Sequence, residues 1–161
     1  MRSICWLHIS DIHMSARDAW SQDVVLRAMC DRIDKLRREG LAPDFVLVTG
    51  DLAFSGQRDE YELVAEFFDA ASTASGVPKE RMFCVPGNHD IDRGRQKLAF
   101  HGGRSSLINQ NLVDETLTPG EDLRTLLQRE ENYRHFQERY FAMQERMWTD
   151  EGLAYVSRLV I

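Results

Sequence analysis

Three short apolar runs, residues 4–9, 45–48 and 82–85, each break off into a cluster of polar side chains, and two amphipathic stretches separate them. This alternation limits the fold more than any other feature of the chain. The runs are rich in β-formers and show little alternation, as expected for strands covered on both faces. The first intervening stretch places Leu26, Met29, Ile33 and Leu36 at helical spacing and ends near Gly40, where a glycine can take the left-handed cap conformation. The second repeats the pattern with Leu63, Val64, Phe67, Phe68 and Ala71 and fades into Ser75-Gly76-Val77-Pro78. Strand, helix, strand, helix, strand at this spacing predicts an α/β fold on a βαβαβ unit, with right-handed crossovers and parallel strands.

In a parallel sheet the strand ends share one edge, and open α/β sheets bind ligands outside the carboxyl ends of their strands. Here those ends are Ser10-Asp11-Ile-His13, Thr49-Gly50-Asp51 and Pro86-Gly-Asn-His-Asp90. Carboxylates, a carboxamide and imidazoles meeting in one crevice mean metal or acid-base chemistry. Asp11 and His13, two apart in extended chain, can turn to one side and chelate one ion. Gly50 allows a sharp turn before Asp51, whose two oxygens can bridge two cations, and Gly56 closes a tight loop after it. Asn88 adds a neutral oxygen ligand without further negative charge, and His89 is free to meet a substrate. Asp90 is expected to hold that imidazole by a hydrogen bond. His8 alternates away from the cluster and reads as a core histidine, while His101 and His135 have no partner at ligand-like spacing.

Beyond the third cluster the pattern loosens. Residues 91–120 are rich in Gly, Ser, Asn and Arg and read as a long irregular excursion, in which Arg93, Arg95, Lys97 and Arg104 could face a phosphate-bearing substrate or form a solvated loop. Tyr133, Phe136, Tyr140, Met143 and Met147 then alternate spacings of three and four, predicting a helix from about Asp122 to Trp148 that packs an aromatic stripe on a core. Residues 153–161 read as the start of a further strand. The expectation is thus a single, incomplete domain over 1–161: a βαβαβ core with the motifs in 1–90, a loop and helical insertion in 91–152, and a new strand in 153–161.

The 161 residues carry a net charge of −6, which argues against sequence-independent nucleic-acid binding through a broad basic surface. Cys5, Cys30 and Cys84 are odd in number and far apart, so neither a disulfide framework nor a thiolate zinc site is indicated, and a reducing cytoplasm is the expected compartment. The opening apolar stretch is too short for a signal peptide or a membrane span.

Asp11-x-His13, Gly50-Asp51 with Gly56, and Gly87-Asn88-His89-Asp90 together resemble the calcineurin-like metallophosphoesterases over residues 4–90. The resemblance implies a four-layer αββα sandwich holding two divalent metal ions, commonly manganese, iron or zinc. By that match Asp11 and His13 bind the first metal, Asp51 bridges both, Asn88 binds the second, and His89 assists the leaving group. The implied chemistry is attack of a metal-bound hydroxide on phosphorus, with two cations about 3.5–4 Å apart clamping the phosphoryl oxygens. The substrates implied are phosphomonoesters or phosphodiesters of nucleotide type, with a DNA nuclease of the same family as an alternative and a non-catalytic interaction module as another. The later lone histidine and Gly-His-x-His ligands of the family are absent from this chain. The second coordination sphere is therefore expected to be incomplete here, and the chain to be the amino-terminal piece of a longer phosphoesterase with an attached domain or partner chain.

Overall fold

A computed structural model describes residues 3–17, 19–95, 109–149, 152 and 154–160. Strands β1 (Trp6–Ile9), β2 (Phe45–Thr49) and β3 (Met82–Val85) form one sheet in the order β1-β2-β3, with every pairing parallel. The register sets Trp6 against Phe45 and Ile9 against Val48, then Val46 against Met82 and Thr49 against Val85. Helices α1 (Ala19–Arg38) and α2 (Arg58–Ser75) connect the strands and pack on each other. The α/β class and the βαβαβ order read from the sequence are thus present in the folded chain.

Each helix stops for a local reason. At the end of α1, Arg37 and Arg38 both pair with Asp34 at 2.7 Å, placing cations at the negative end of the helix dipole, and Gly40 turns the chain at φ 95°. Helix α2 begins where the buried Glu60 carboxylate reaches back to the backbone N–H groups of Gln57 (3.0 Å) and Ser55 (2.9 Å), and it ends on Gly76 at φ 72°.

The sheet departs from the expected two-sided cover. Ile9, Val46, Val48, Met82 and Cys84 are buried beneath the helices with Val64, Phe67 and Phe68. The alternate positions Trp6 (57% exposed) and Val85 (48%) open to the other side, because no helical layer lies over that face among the described residues. His8 belongs to this open face: it is exposed and bonded to the Thr49 hydroxyl at 2.6 Å, which corrects the reading of it as a core histidine.

The carboxy-terminal third also differs from its reading. Residues 96–108, with Lys97, His101 and Arg104, lie outside the described residues. Within the expected excursion, Arg93–Arg95 form a single tight turn and Gln110–Leu117 form helix α3, capped by the Asn109 side chain accepting from the N–H of Asn111 at 3.0 Å. The single long helix is two: α4 (Glu121–Leu127) and α5 (Glu131–Tyr140), joined by a turn at Gln128–Glu130. The aromatic stripe does pack on the core, since Phe136 lies against Tyr61, Phe68 and Phe141 with ring centroids 5.4–6.1 Å apart. The helix ends at Tyr140 because Phe141 swings into that cluster and the Gln144 amide binds the carbonyls of Lys79 and Met82. Met143 and Met147 are therefore exposed, at 85% and 68%. Strand β4 (Met147–Trp148) pairs antiparallel with β5 (Tyr155–Val156), so the strand read at the end of the chain is two residues long and closes a hairpin.

Candidate metal centre at the sheet edge

Past the strand ends, the three motif loops are stitched together by backbone hydrogen bonds that prolong the parallel ladder. Gly50 N–H donates to Val85 O at 3.0 Å, His13 N–H to Asp51 O at 2.8 Å, Met14 N–H to Leu52 O at 2.8 Å, and Phe54 N–H to Met14 O at 2.9 Å. Asp11, His13 and Asp51 all take left-handed backbone conformations, at φ 57°, 51° and 50°. Such conformations are uncommon for residues with a side chain and cost roughly 1–3 kcal/mol each. Three at one sheet edge mean that the surrounding bonds hold these side chains in place against local preference.

The third loop comes close enough to touch the second. A Cβ on Gly87 would fall 2.2 Å from Asp51 Oδ1 and 2.4 Å from its backbone nitrogen, so only glycine fits there. His89 N–H then donates to Asp51 Oδ1 at 2.9 Å, orienting the carboxylate with its other oxygen, Oδ2, 3.8 Å from His13 Nε2. Asp11 Oδ1 lies 4.0 Å from the same nitrogen. The His13 and His89 rings meet edge to face with centroids 4.6 Å apart. One ligand atom each from His13, Asp51 and His89 can be chosen so that all lie within 4.8 Å of one another. Nitrogen and oxygen donors on one small cation stand at about 2.0–2.2 Å from it, hence roughly 3–4 Å apart, so the donor set and its spacing fit a divalent ion. Asn88 precedes His89 on the loop and is exposed.

Asp90 is placed differently from its expected role. Its fully buried carboxylate accepts the N–H groups of Leu52 (3.1 Å), Ala53 (2.9 Å) and Gly87 (2.8 Å) and the Tyr61 hydroxyl (3.1 Å). Burial pushes this carboxyl upward from the ordinary range, opposed by those three N–H groups and the hydroxyl. The carboxylate thus ties the second loop to the third from beneath. What holds the His89 imidazole is the Phe54 carbonyl, 2.7 Å from Nδ1. Because a carbonyl oxygen only accepts, Nδ1 carries the proton, and in the neutral ring Nε2 keeps a lone pair.

Phe54 escaped the sequence reading. Its ring is 53% exposed and lies 5.7 Å from the His89 ring and 6.3 Å from that of His13, centroid to centroid. The signal was a large aromatic standing in a turn between Asp51 and Gly56. Tyr61 and Glu60, which brace the loops from α2, carried no signal beyond their helical spacing.

The calcineurin-like phosphoesterase family model matches residues 6–150. The chain belongs to that family. Among curated proteins it is 39% identical over 89 residues to the uncharacterized metallophosphoesterase-like protein YydB of Bacillus subtilis (strain 168), an overlap covering 55% of this chain and 18% of the relative. The chain therefore spans under a fifth of the length of the curated relative it matches. In this family member His13, Asp51 and His89 converge at the carboxyl edge of the sheet closely enough to hold a divalent metal ion. Among the described residues no helix is long and apolar enough to cross a membrane.

Proposed function

We propose that these residues form part of the catalytic centre of a metal-dependent phosphoesterase acting on nucleotide-type phosphomonoesters or phosphodiesters. The observation that carries this reading is the meeting of His13, Asp51 and His89 side chains within 4.8 Å in a chain of the calcineurin-like family. In this proposal Asp11 and His13 would hold one divalent ion, Asn88 would contribute to a second, and Asp51 would serve both. Manganese, iron and zinc all suit the donor set. Bound there, such ions would polarise the phosphoryl oxygens and make water a competent nucleophile at neutral pH.

The chain's own groups supply the rest. The bond from Nδ1 to the Phe54 carbonyl fixes the His89 ring and turns Nε2 to the site, where the neutral ring would accept a proton and the imidazolium so formed would return it to the departing oxygen. The N–H of His89 and the close approach of Gly87 hold the Asp51 carboxylate in one orientation, so little reorganisation is needed when substrate arrives. Asp90 acts as a positioning residue by fixing the loops that carry both. The remaining imidazole ligands of the family would come from outside the motifs present here. Cytoplasmic residence is part of the same proposal and is supported by three cysteines that are all free thiols. The domain division at residues 90 and 152, with an attached carboxy-terminal region, is likewise a proposal, supported by the motifs lying wholly before residue 91.

Manganese-dependent release of p-nitrophenolate from bis-p-nitrophenyl phosphate tests the reading, with Asp51→Asn as the control. Turnover that falls to background in the variant supports it. Absence of turnover with every divalent metal would favour a non-catalytic module, and preference for DNA over small esters would favour a nuclease.

A further inference from the structure

A cavity of about 850 Å³ lies between the start of α2 and helices α4 and α5, and none of the five metal-motif residues lines it. Four arginines do: Arg58, Arg95, Arg124 and Arg134. Two carboxylates, Glu131 and Glu138, face them, leaving an excess of positive charge on a chain whose net charge is −6. Arg95 is held by Glu131 and by Asp92 at 3.3 Å. Arg58, Arg124 and Arg134 make no ion pair among the described residues, whereas Arg27, Arg37, Arg38 and Arg139 on the helical surfaces pair with Asp23, Asp34 and Glu62. Arg124 Nε donates to Gly120 O at 3.1 Å and the Arg134 guanidinium lies beside Gly152, on the side of Glu130, so Arg58 and the free end of Arg124 are the cationic groups most open to the concavity. Guanidinium groups free of an ion pair at such a site are suited to bidentate binding of phosphate.

The cavity adjoins the metal centre through one short loop. The Phe54 carbonyl touches His89, the Asn132 side chain of α5 donates to Gly56 O at 2.9 Å, and Gln57 donates to Asp92 Oδ1 at 2.9 Å. Arg58 follows Phe54 by four residues, at most about 14 Å of fully extended chain. The arginine-lined cavity and the imidazoles are therefore neighbours on the two sides of one short loop.

We propose that this cavity is a subsite for a second phosphate group, so that the substrate class is a small molecule bearing at least two phosphates, such as a nucleotide polyphosphate. The substrate assignment rests on the phosphoesterase reading; the anion site does not. Isothermal titration calorimetry of the 161-residue chain in EDTA, with inorganic tripolyphosphate as probe, measures the site without metal or turnover. Saturable binding is expected, weakened at least tenfold in Arg58→Gln/Arg124→Gln and unchanged in Arg27→Gln. Arg134→Gln provides an independent second variant, and circular dichroism confirms that each is folded. Absence of saturable binding, equal affinity in the folded variants, or tighter binding of a single-stranded oligonucleotide than of tripolyphosphate overturns the proposal. Binding of tripolyphosphate by a chain that takes up no Mn²⁺ would remove the phosphoesterase reading and leave the anion site standing; Mn²⁺ uptake without tripolyphosphate binding would remove the subsite alone.

Discussion

The backbone N–H of His89 donates to Oδ1 of Asp51 at 2.9 Å, so a residue of the third loop orients the carboxylate of the second. An asparagine at position 51 keeps an oxygen to accept that bond and tolerates the left-handed φ of 50°. Asp51→Asn should therefore change stability by no more than about 1 kcal/mol in urea denaturation while abolishing divalent-metal binding. A large loss of stability would show that the carboxylate charge serves the fold.

Asp90 carries the opposite signature. Removing its carboxylate orphans three N–H donors, those of Leu52, Ala53 and Gly87, and leaves the Tyr61 hydroxyl its bond to the backbone carbonyl of residue 90 at 3.2 Å. At roughly 1–3 kcal/mol for each buried unsatisfied group, Asp90→Ala should cost about 3 kcal/mol or more and lower the melting temperature accordingly. A cost below about 1 kcal/mol would mean that the loops are held by something else.

Gly87→Ala tests the close approach directly. The added methyl would meet the Asp51 backbone nitrogen at 2.4 Å, so the two loops must separate. The expected outcome is a destabilisation of about 1–3 kcal/mol together with loss of metal binding. Unaltered metal affinity in this variant would show that the loops need not touch.

All four tyrosines, Tyr61, Tyr133, Tyr140 and Tyr155, are pushed above the ordinary phenol value, in each case chiefly by burial. Burial likewise pushes the Cys84 thiol up to about 12. Groups raised in the folded state contribute stability that is complete below their unfolded values, near 8.5 for thiol and about 10 for phenol, and lost as pH rises toward the folded ones. Tyrosinate absorbance should therefore stay low past pH ~10 and then rise together with loss of circular dichroism. Independent titration of the tyrosines near pH ~10 in a folded chain would contradict the packing of α5 on the core.

The strands, α1, α2 and the motif loops were legible because the local signals agree: apolar runs of strand length, helical periodicity between them, and turn residues where the chain must turn. Asp90 was misread because adjacency in sequence to His89 says nothing about direction; in the turn closed by the Asp90 N–H on Gly87 O, the Asp90 side chain is buried while that of His89 faces the site. The Tyr133 to Met147 stripe was extended too far because Met143 and Met147 keep a helical spacing after the helix has ended. Only the tertiary clustering of Phe141 with Phe68 and Phe136 decides where it stops. The His89 anchor at the Phe54 carbonyl is a backbone contact, which residue types alone do not encode.

The claim that the three loop tips hold a cation is tested most directly by titrating Mn²⁺ into the chain and following the electron paramagnetic resonance signal of the free ion. The account predicts saturable loss of that signal with the intact chain and none with Asp51→Asn or His13→Ala/His89→Ala. A signal unchanged by the intact chain, or lost equally with the variants, would contradict it.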